Sequence, residues 1–416
     1  MRLDDFVDIE ANERAERRRL AAEKSYEILD HVERVTDRIE RTVSGDAVVG
    51  SVSPSIFVGR SNYPRVSTGI LSPVGNEGDA GRFVTSGAWY DEGVDLTEVF
   101  RRRTSLLNSR RSASVDAADT WEGFVGVGRE VAIADRPVDV EIGLDADPTV
   151  DFDADGASAP TGPSAPARSA SLGENPHVPR AVEKTLEDDD WRAEGAINYL
   201  YRRGFDVYEV NTILSAGALG RAEHRRLVPT RWSITAVDDT VGGFLRGSLR
   251  DAPSVNGVEI HRNEFLGNAY WVILAPGQWE YELVELKAPG SVWNPDPEAG
   301  MWLAADREGY EGRTGYVEET AGAYHAARLA ALEHLDDRGR QAKCLVLRHV
   351  SDDYWGPAGV WQVREGVRHA FDGEHATAET LADAVRGVAD YLPASLADLR
   401  RKSTMVAGLQ TTLDQF

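Results

Sequence analysis

The chain has 416 residues and carries 69 acidic against 46 basic side chains, a net charge of −23. No apolar run approaches the ~18 residues that span a bilayer, and Met1-Arg2-Leu3-Asp4-Asp5 sets acid where a signal peptide needs base, so membrane insertion is excluded and a soluble, cytoplasmic protein is expected. A single cysteine, Cys344, excludes an intrachain disulfide and a cysteine-based zinc site, and its apolar surroundings Cys344-Leu345-Val346-Leu347 read as a buried strand.

Only five of the basic residues are lysine. An acidic, lysine-poor surface stays hydrated in strong salt, and strong salt screens its self-repulsion within a few ångströms. The acidity reads as adaptation to a salty, archaeal habitat, which leaves DNA contact to local arginine patches. The competing reading takes the charge at face value and keeps DNA off the bulk surface.

In chain order, residues 8–43 read as one helix, with Ile28, Val32, Val35 and Ile39 on one face. Ser44–Pro73 is rich in turns and predicts short strands at Ser55–Gly59 and Arg65–Leu71. Ser53, Ser55, Arg60 and Arg65 there supply the hydroxyls and guanidinium forks from which a phosphate cradle is made. Val94–Asn108 predicts a helix bearing Arg101-Arg102-Arg103, with Arg110-Arg111 just after it, the densest basic patch in the chain. Ala117–Arg136 predicts a helix and Val138–Leu144 a strand. Asp145–Pro179, rich in Asp, Ala, Pro, Ser and Gly, cannot bury enough surface to order itself and reads as a connector between domains, with its later pieces Gly162–Pro166 and Glu174–Pro176 expected to lie extended against a domain.

A second domain is expected from 180 to 402. Helices are predicted over Val182–Arg203 and from Val207 to Ala216. Ser233–Val237 alternates like a strand, with Arg231 and Trp232 at its entry and Asp238-Asp239 at its exit; the paired carboxylates read either as a catalytic or metal-binding pair or as the cap of a following helix. Val258–Lys287 predicts an antiparallel meander. A Gly-rich loop holds Glu311 and Arg313, and Glu318–Leu335 predicts a helix carrying His325, a candidate general base. Strands are predicted at Ala342–His349 and Val360–Val363, and helices at Thr377–Tyr391 and Ser395–Arg401. The nine histidines are scattered, and no metal ligand set stands out. There is no P-loop, no GxGxxG after a strand, no HExxH and no Ser–His nucleophile signature.

Residues 403–416 read as a flexible tail ending Gln410-Thr411-Thr412-Leu413-Asp414-Gln415-Phe416. Gln410, Leu413 and Phe416 recur three apart, the period at which side chains of a 3₁₀ turn eclipse. A tail folding on contact would press Leu413 and Phe416 into an apolar pocket while the Gln410 amide fixes the register. The pattern is similar to the box by which DNA-associated proteins dock on the sliding clamp PCNA.

The fold expected from these elements is α+β: mixed helices and antiparallel sheets in two globular domains, 1–144 and 180–402, with the connector 145–179 between them. Longer segments carry a family resemblance. SPSIFVGRSNYPRVSTGILSP at 53–73, the piece at 162–166, LVPTRWSITAVDDT at 227–240, PGSVWNPD at 289–296, EGYEGRTGY at 308–316 and AGAYHAARLA at 321–330 together resemble the archaeal Nre DNA repair protein family. The resemblance implies a cytosolic role in DNA damage repair and a C-terminal clamp-binding motif, which falls on Gln410, Leu413 and Phe416. The cysteine cluster suited to zinc in many relatives has no counterpart here. It implies no agreed reaction, and no cofactor is assigned. Two functions follow as expectations. One is a repair factor recruited by the clamp. The other is an enzyme or sensor for a phosphate-bearing, nucleotide-like ligand such as ADP-ribose, using Ser53, Ser55, Arg60, Arg65, Arg231, Trp232 and Arg313 for binding and Asp238, Asp239, Glu311 and His325 for chemistry.

Overall fold

The structure, a computed structural model, describes residues 46–74, 77–149 and 161–409. The helix expected over 8–43 and the Gln410–Phe416 motif lie outside these residues. The chain divides into two compact units, Met1–Ala196 with Arg203–Ser233, and Ile197–Arg202 with Ile234–Phe416. Each is built on a six-stranded sheet flanked by helices, an α+β architecture. No helix of the described residues is long and apolar enough to cross a membrane.

In the first unit the strands are β1 (Ala47–Val52), β2 (Ile56–Asn62), β3 (Arg65–Pro73), β4 (Leu106–Ser114), β5 (Val138–Leu144) and β6 (Ser164–Leu172). Their order is β1-β5-β6-β4-β3-β2. All neighbours are antiparallel except β4 and β6. The core is the branched residues that alternate inward, among them Val48, Val58, Ile70, Val140 and Ile142, covered by Phe124, Val131 and Ala132 of the helix Gly123–Ile133. Two expectations change here. The helix Leu96–Thr104 stops short and β4 follows it, so Arg110 and Arg111 sit on a strand. Ser164–Leu172, expected to lie extended against a domain only at its start, is an interior strand throughout: Ala165 and Ala167 are small enough to bury fully against its neighbours β5 and β4. The helix Arg180–Glu187 also groups with this unit.

In the second unit the strands are β7 (Val258–Phe265), β8 (Asn268–Ala275), β9 (Glu280–Lys287), β10 (Trp302–Glu308), β11 (Lys343–Val350) and β12 (Ala376–Ala378), ordered β10-β9-β11-β8-β7-β12. The expected meander holds only for the hairpin β7–β8, turned by Leu266 and Gly267 at positive φ, 49° and 68°. β11 inserts between β8 and β9 and runs parallel to β9. Its run Cys344-Leu345-Val346-Leu347 is buried on both faces, which suits a central strand and no other. One face is covered by the helices Gly322–Arg338 and Trp361–Arg368. The latter lies so close that a Cβ on Gly366 would stand 2.3 Å from the Tyr270 ring. The other face is covered by the helices Leu381–Ala389, Leu396–Lys402 and Thr404–Ala407, which bury Val385, Val388, Leu399, Met405 and Val406. Val360–Val363, expected as a strand, leads into the helix Trp361–Arg368, and Ser233–Val237 lies inside the helix Thr230–Ser248. Residues 403–408, expected to loosen, contain the helix Thr404–Ala407.

Candidate functional site

A basic surface forms in the first unit around the β2–β3 turn. Register sets Ser67 opposite Ser112 and Gly69 opposite Arg110 on the β3–β4 ladder, so serines and an arginine share one face. With Asn62, Arg65 and Arg111 they line a groove of about 290 Å³. Arg60, Arg65, Arg110 and Arg111 are all exposed, and none has a carboxylate within ion-pair distance among the described residues. Arg111 is steadied by donating to the Arg168 carbonyl at 2.6 Å. Four exposed guanidinium groups without carboxylate partners could grip a phosphate bidentately.

Aromatic rings adjoin this surface. The Val58 amide donates to Thr230 Oγ1 at 2.9 Å, which fixes the start of the 230–248 helix to β2. Trp232, in its first turn, then meets Tyr63 of the β2–β3 turn with ring centroids 5.1 Å apart. Both rings remain open to solvent, Tyr63 by 54% and Trp232 by 42%. Exposed rings beside arginines are of the kind on which nucleobases can stack.

The other sequence candidates of this unit fare differently. Ser53 is buried, and Ser55 lies at the opposite end of β2 from Arg60, about 16 Å along a strand rising roughly 3.3 Å per residue, so the serines and Arg60 do not form one cradle. The run Arg101-Arg102-Arg103 is no open patch: Arg102 is buried and paired with Glu92 at 2.5 Å and Glu98 at 3.0 Å.

The second unit holds a separate polar cluster. Asp238 and Asp239, adjacent on a helix, point apart. Asp238 is buried and accepts from Arg364 Nη2 at 2.6 Å through both oxygens. Asp239 faces outward, its Oδ1 3.4 Å from His325 Nδ1 and 3.3 Å from Arg328 Nη1. His325, with Arg328 and Arg246, holds the Asp239 carboxyl below its usual range, against burial, which raises it. Arg328 is itself held by Glu308 at 2.8 Å. His325 is buried under the Tyr316 ring, and neither ring nitrogen makes a hydrogen bond. An imidazole beside an ionised carboxylate and a guanidinium can move a proton at a bound anion. Glu311 and Arg313 are otherwise engaged. Glu311 pairs with Arg250 at 2.5 Å. Arg313 donates to the carbonyls of Arg307, Gly315 and Tyr316 and so shapes its own loop. The structure thus brings Asp239, His325 and Arg328 together and leaves Asp238, Glu311 and Arg313 in supporting contacts.

Among the described residues, one group has the composition and spacing of a metal site: Glu259, His261 and His334. Nothing in the sequence alone singles it out. Its only local trace is Glu-x-His at 259–261, two residues apart on β7 and hence on one face.

Residues 20–294 match the family described as Archaeal Nre, N-terminal, and residues 308–416 match Archaeal Nre, C-terminal. The chain is 73% identical over 419 residues to the DNA repair protein NreA of Haloferax volcanii, covering 100% of both chains. It is 35% identical to the DNA repair protein NreB of Archaeoglobus fulgidus over 89% of this chain and 92% of that one. To the DNA repair protein NreA of the same organism it is 36% identical, over 80% and 82% of the two chains. No solved structure matches.

Proposed function

Because the chain belongs to the archaeal Nre family, we propose that it is a DNA repair protein, brought to DNA by docking Gln410, Leu413 and Phe416 on the sliding clamp PCNA. The observation that carries the clamp reading is the Gln-x-x-Leu-x-x-Phe spacing, which presents one amide and two apolar side chains at a common period. Its place in the chain supports it. The helix Thr404–Ala407 is fastened by Glu282, which accepts from Ser403 Oγ at 2.6 Å and from the amides of Thr404 and Met405 at 2.8 Å. Leu409 packs against the core beneath. The motif therefore begins one residue beyond a fixed point. DNA contact by the body draws support from the arginines at 60, 65, 110 and 111 with the Tyr63–Trp232 pair.

The test is direct binding of the full chain to an archaeal PCNA, by surface plasmon resonance. Removing residues 410–416, or Phe416→Ala with Leu413→Ala, abolishes binding if the tail is the docking element; undiminished binding overturns it.

A second reading, an enzyme or sensor for a phosphate-bearing, nucleotide-like ligand such as ADP-ribose, is favoured by the same groove, which approaches the size of a small-ligand pocket. A thermal-shift screen of nucleotides, ADP-ribose and single- and double-stranded DNA separates the two. Stabilisation by a mononucleotide that Arg65→Ala abolishes supports the sensor; stabilisation by DNA alone supports the repair factor.

A further inference from the structure

We infer that Glu259, His261 and His334 form a binding site for one divalent transition-metal ion of the zinc class. The donor atoms of the three residues all lie within 4.8 Å of one another. Glu259 and His261 stand on one face of β7, with His261 Nε2 3.3 Å from Glu259 Oε2. His334 comes from the helix Gly322–Arg338, its ring 5.7 Å from that of His261. Two imidazoles and a carboxylate are a set that zinc takes readily, at bonds of ~2.0–2.2 Å with a fourth position open. Such bonds bring donors to roughly 3.3–4 Å from one another, so the set must close by at most about 1 Å, which small side-chain shifts supply. The exposed His375 adjoins the set, its ring 5.0 Å from that of His261.

Two further observations favour a cation here. His261 is buried with Nδ1 lacking any hydrogen-bond partner, although buried polar atoms normally have one. The His334 ring is held flat against Phe371, centroids 3.8 Å apart, as ligating imidazoles are held by their surroundings.

A cation already leans on the carboxylate. Arg338 donates to both Glu259 oxygens at 2.6 and 2.8 Å, and its Nη1 lies 3.2 Å from His334 Nε2. Arg338 is exposed and sits in the last turn of its helix, where a cation is favourably placed with or without this pair. It can swing to solvent as the ion enters, so metal and guanidinium compete for one carboxylate. Oxygen-preferring Mg²⁺ is a poor match to two imidazoles.

The test uses the full chain, stripped with chelator and returned to molar KCl with excess Mg²⁺, which occupies the acidic surface. Co²⁺ is titrated and its visible ligand-field bands are read. The expected result is one Co²⁺ per chain, with intense bands of low coordination number that Zn²⁺ erases. His334→Gln weakens affinity at least about tenfold, and Arg338→Ala strengthens it by removing the competitor. His375→Ala, at an exposed position, serves as a variant whose folding is secure, and it alters the band shape. Circular dichroism confirms that each variant is folded. Absence of the bands, binding unchanged in His334→Gln, or affinity unchanged or weakened in Arg338→Ala overturns the site; Arg338 is then the permanent counter-ion of Glu259.

Discussion

Asp238 and Asp239 show how a period decides a residue's role. On a strand's exit or at a helix cap, neighbouring carboxylates can converge on one ion. On a helix, successive residues point about 100° apart, so one is driven inside and the other out. Asp238 is 1% exposed and bonded to Arg364, which is itself 2% exposed. Asp238→Ala would leave a guanidinium buried without its carboxylate and should cost about 3–5 kcal/mol, measured by urea unfolding. Asp239→Ala, at a partly exposed position, should leave the unfolding midpoint nearly unchanged and instead alter whatever binds at His325. Asp306 carries a pH signature. Burial by itself would raise its carboxyl, but the amides of Glu318, Glu319 and Thr320 and the Thr320 hydroxyl donate to it and hold it below the ordinary value of 3.8. Its folded value lies below its unfolded one. The stabilisation is therefore complete above the unfolded value and is lost as pH falls through the folded value. Unfolding midpoints below about pH 4 should fall less steeply in Asp306→Asn than in the parent chain. None of these roles could be read from the residues' sequence neighbours, because Arg364 and the 318–320 amides reach them only through the fold.

At the scale of elements, strands with a strong local signature were legible and those made by their partners were not. Val138–Leu144 alternates apolar and acidic residues and is β5 over the same bounds. Ser164–Leu172 has little hydrophobic weight and carries Pro166, a residue that argues against an interior strand. It is β6 because β5 and β4 flank it, pairing Arg110 with Pro166 in parallel. The alternation in Ser233–Val237 misled for a related reason: five residues are too few to tell a period of 2 from one of 3.6. The short helix Thr404–Ala407 has no more local signal than a frayed end. What orders it is Glu282, buried on β9 and reaching the amides at its start, where a carboxylate also meets the positive end of the helix dipole. Glu282→Ala should cost about 2–3 kcal/mol. It should also raise amide exchange at Met405 and Val406 well above that of β11, because it releases this helix before the sheet.

For the whole molecule, the proposed contacts with DNA and with the clamp should answer salt in opposite ways, and a chain of net charge −23 makes the difference consequential. The body's own repulsion is screened by salt, so its urea midpoint should rise with KCl. Binding through Arg60, Arg65, Arg110 and Arg111 releases counterions, and its affinity should fall with salt at a slope of about −0.9 per duplex phosphate contacted. Replacing any one of the four by alanine should reduce that slope by about one. Docking by Leu413 and Phe416 buries apolar surface and should change little across the same range. At the salt an acidic surface suits, direct DNA contact is therefore weak, and the tail becomes the tether that keeps the arginine surface near DNA at a high effective concentration. The measurement is fluorescence anisotropy on a labelled duplex, with and without clamp loaded on it, from low to molar KCl. Clamp should raise apparent affinity little at low salt and progressively more as salt increases, and a chain lacking 410–416 should lose that gain while keeping its low-salt binding.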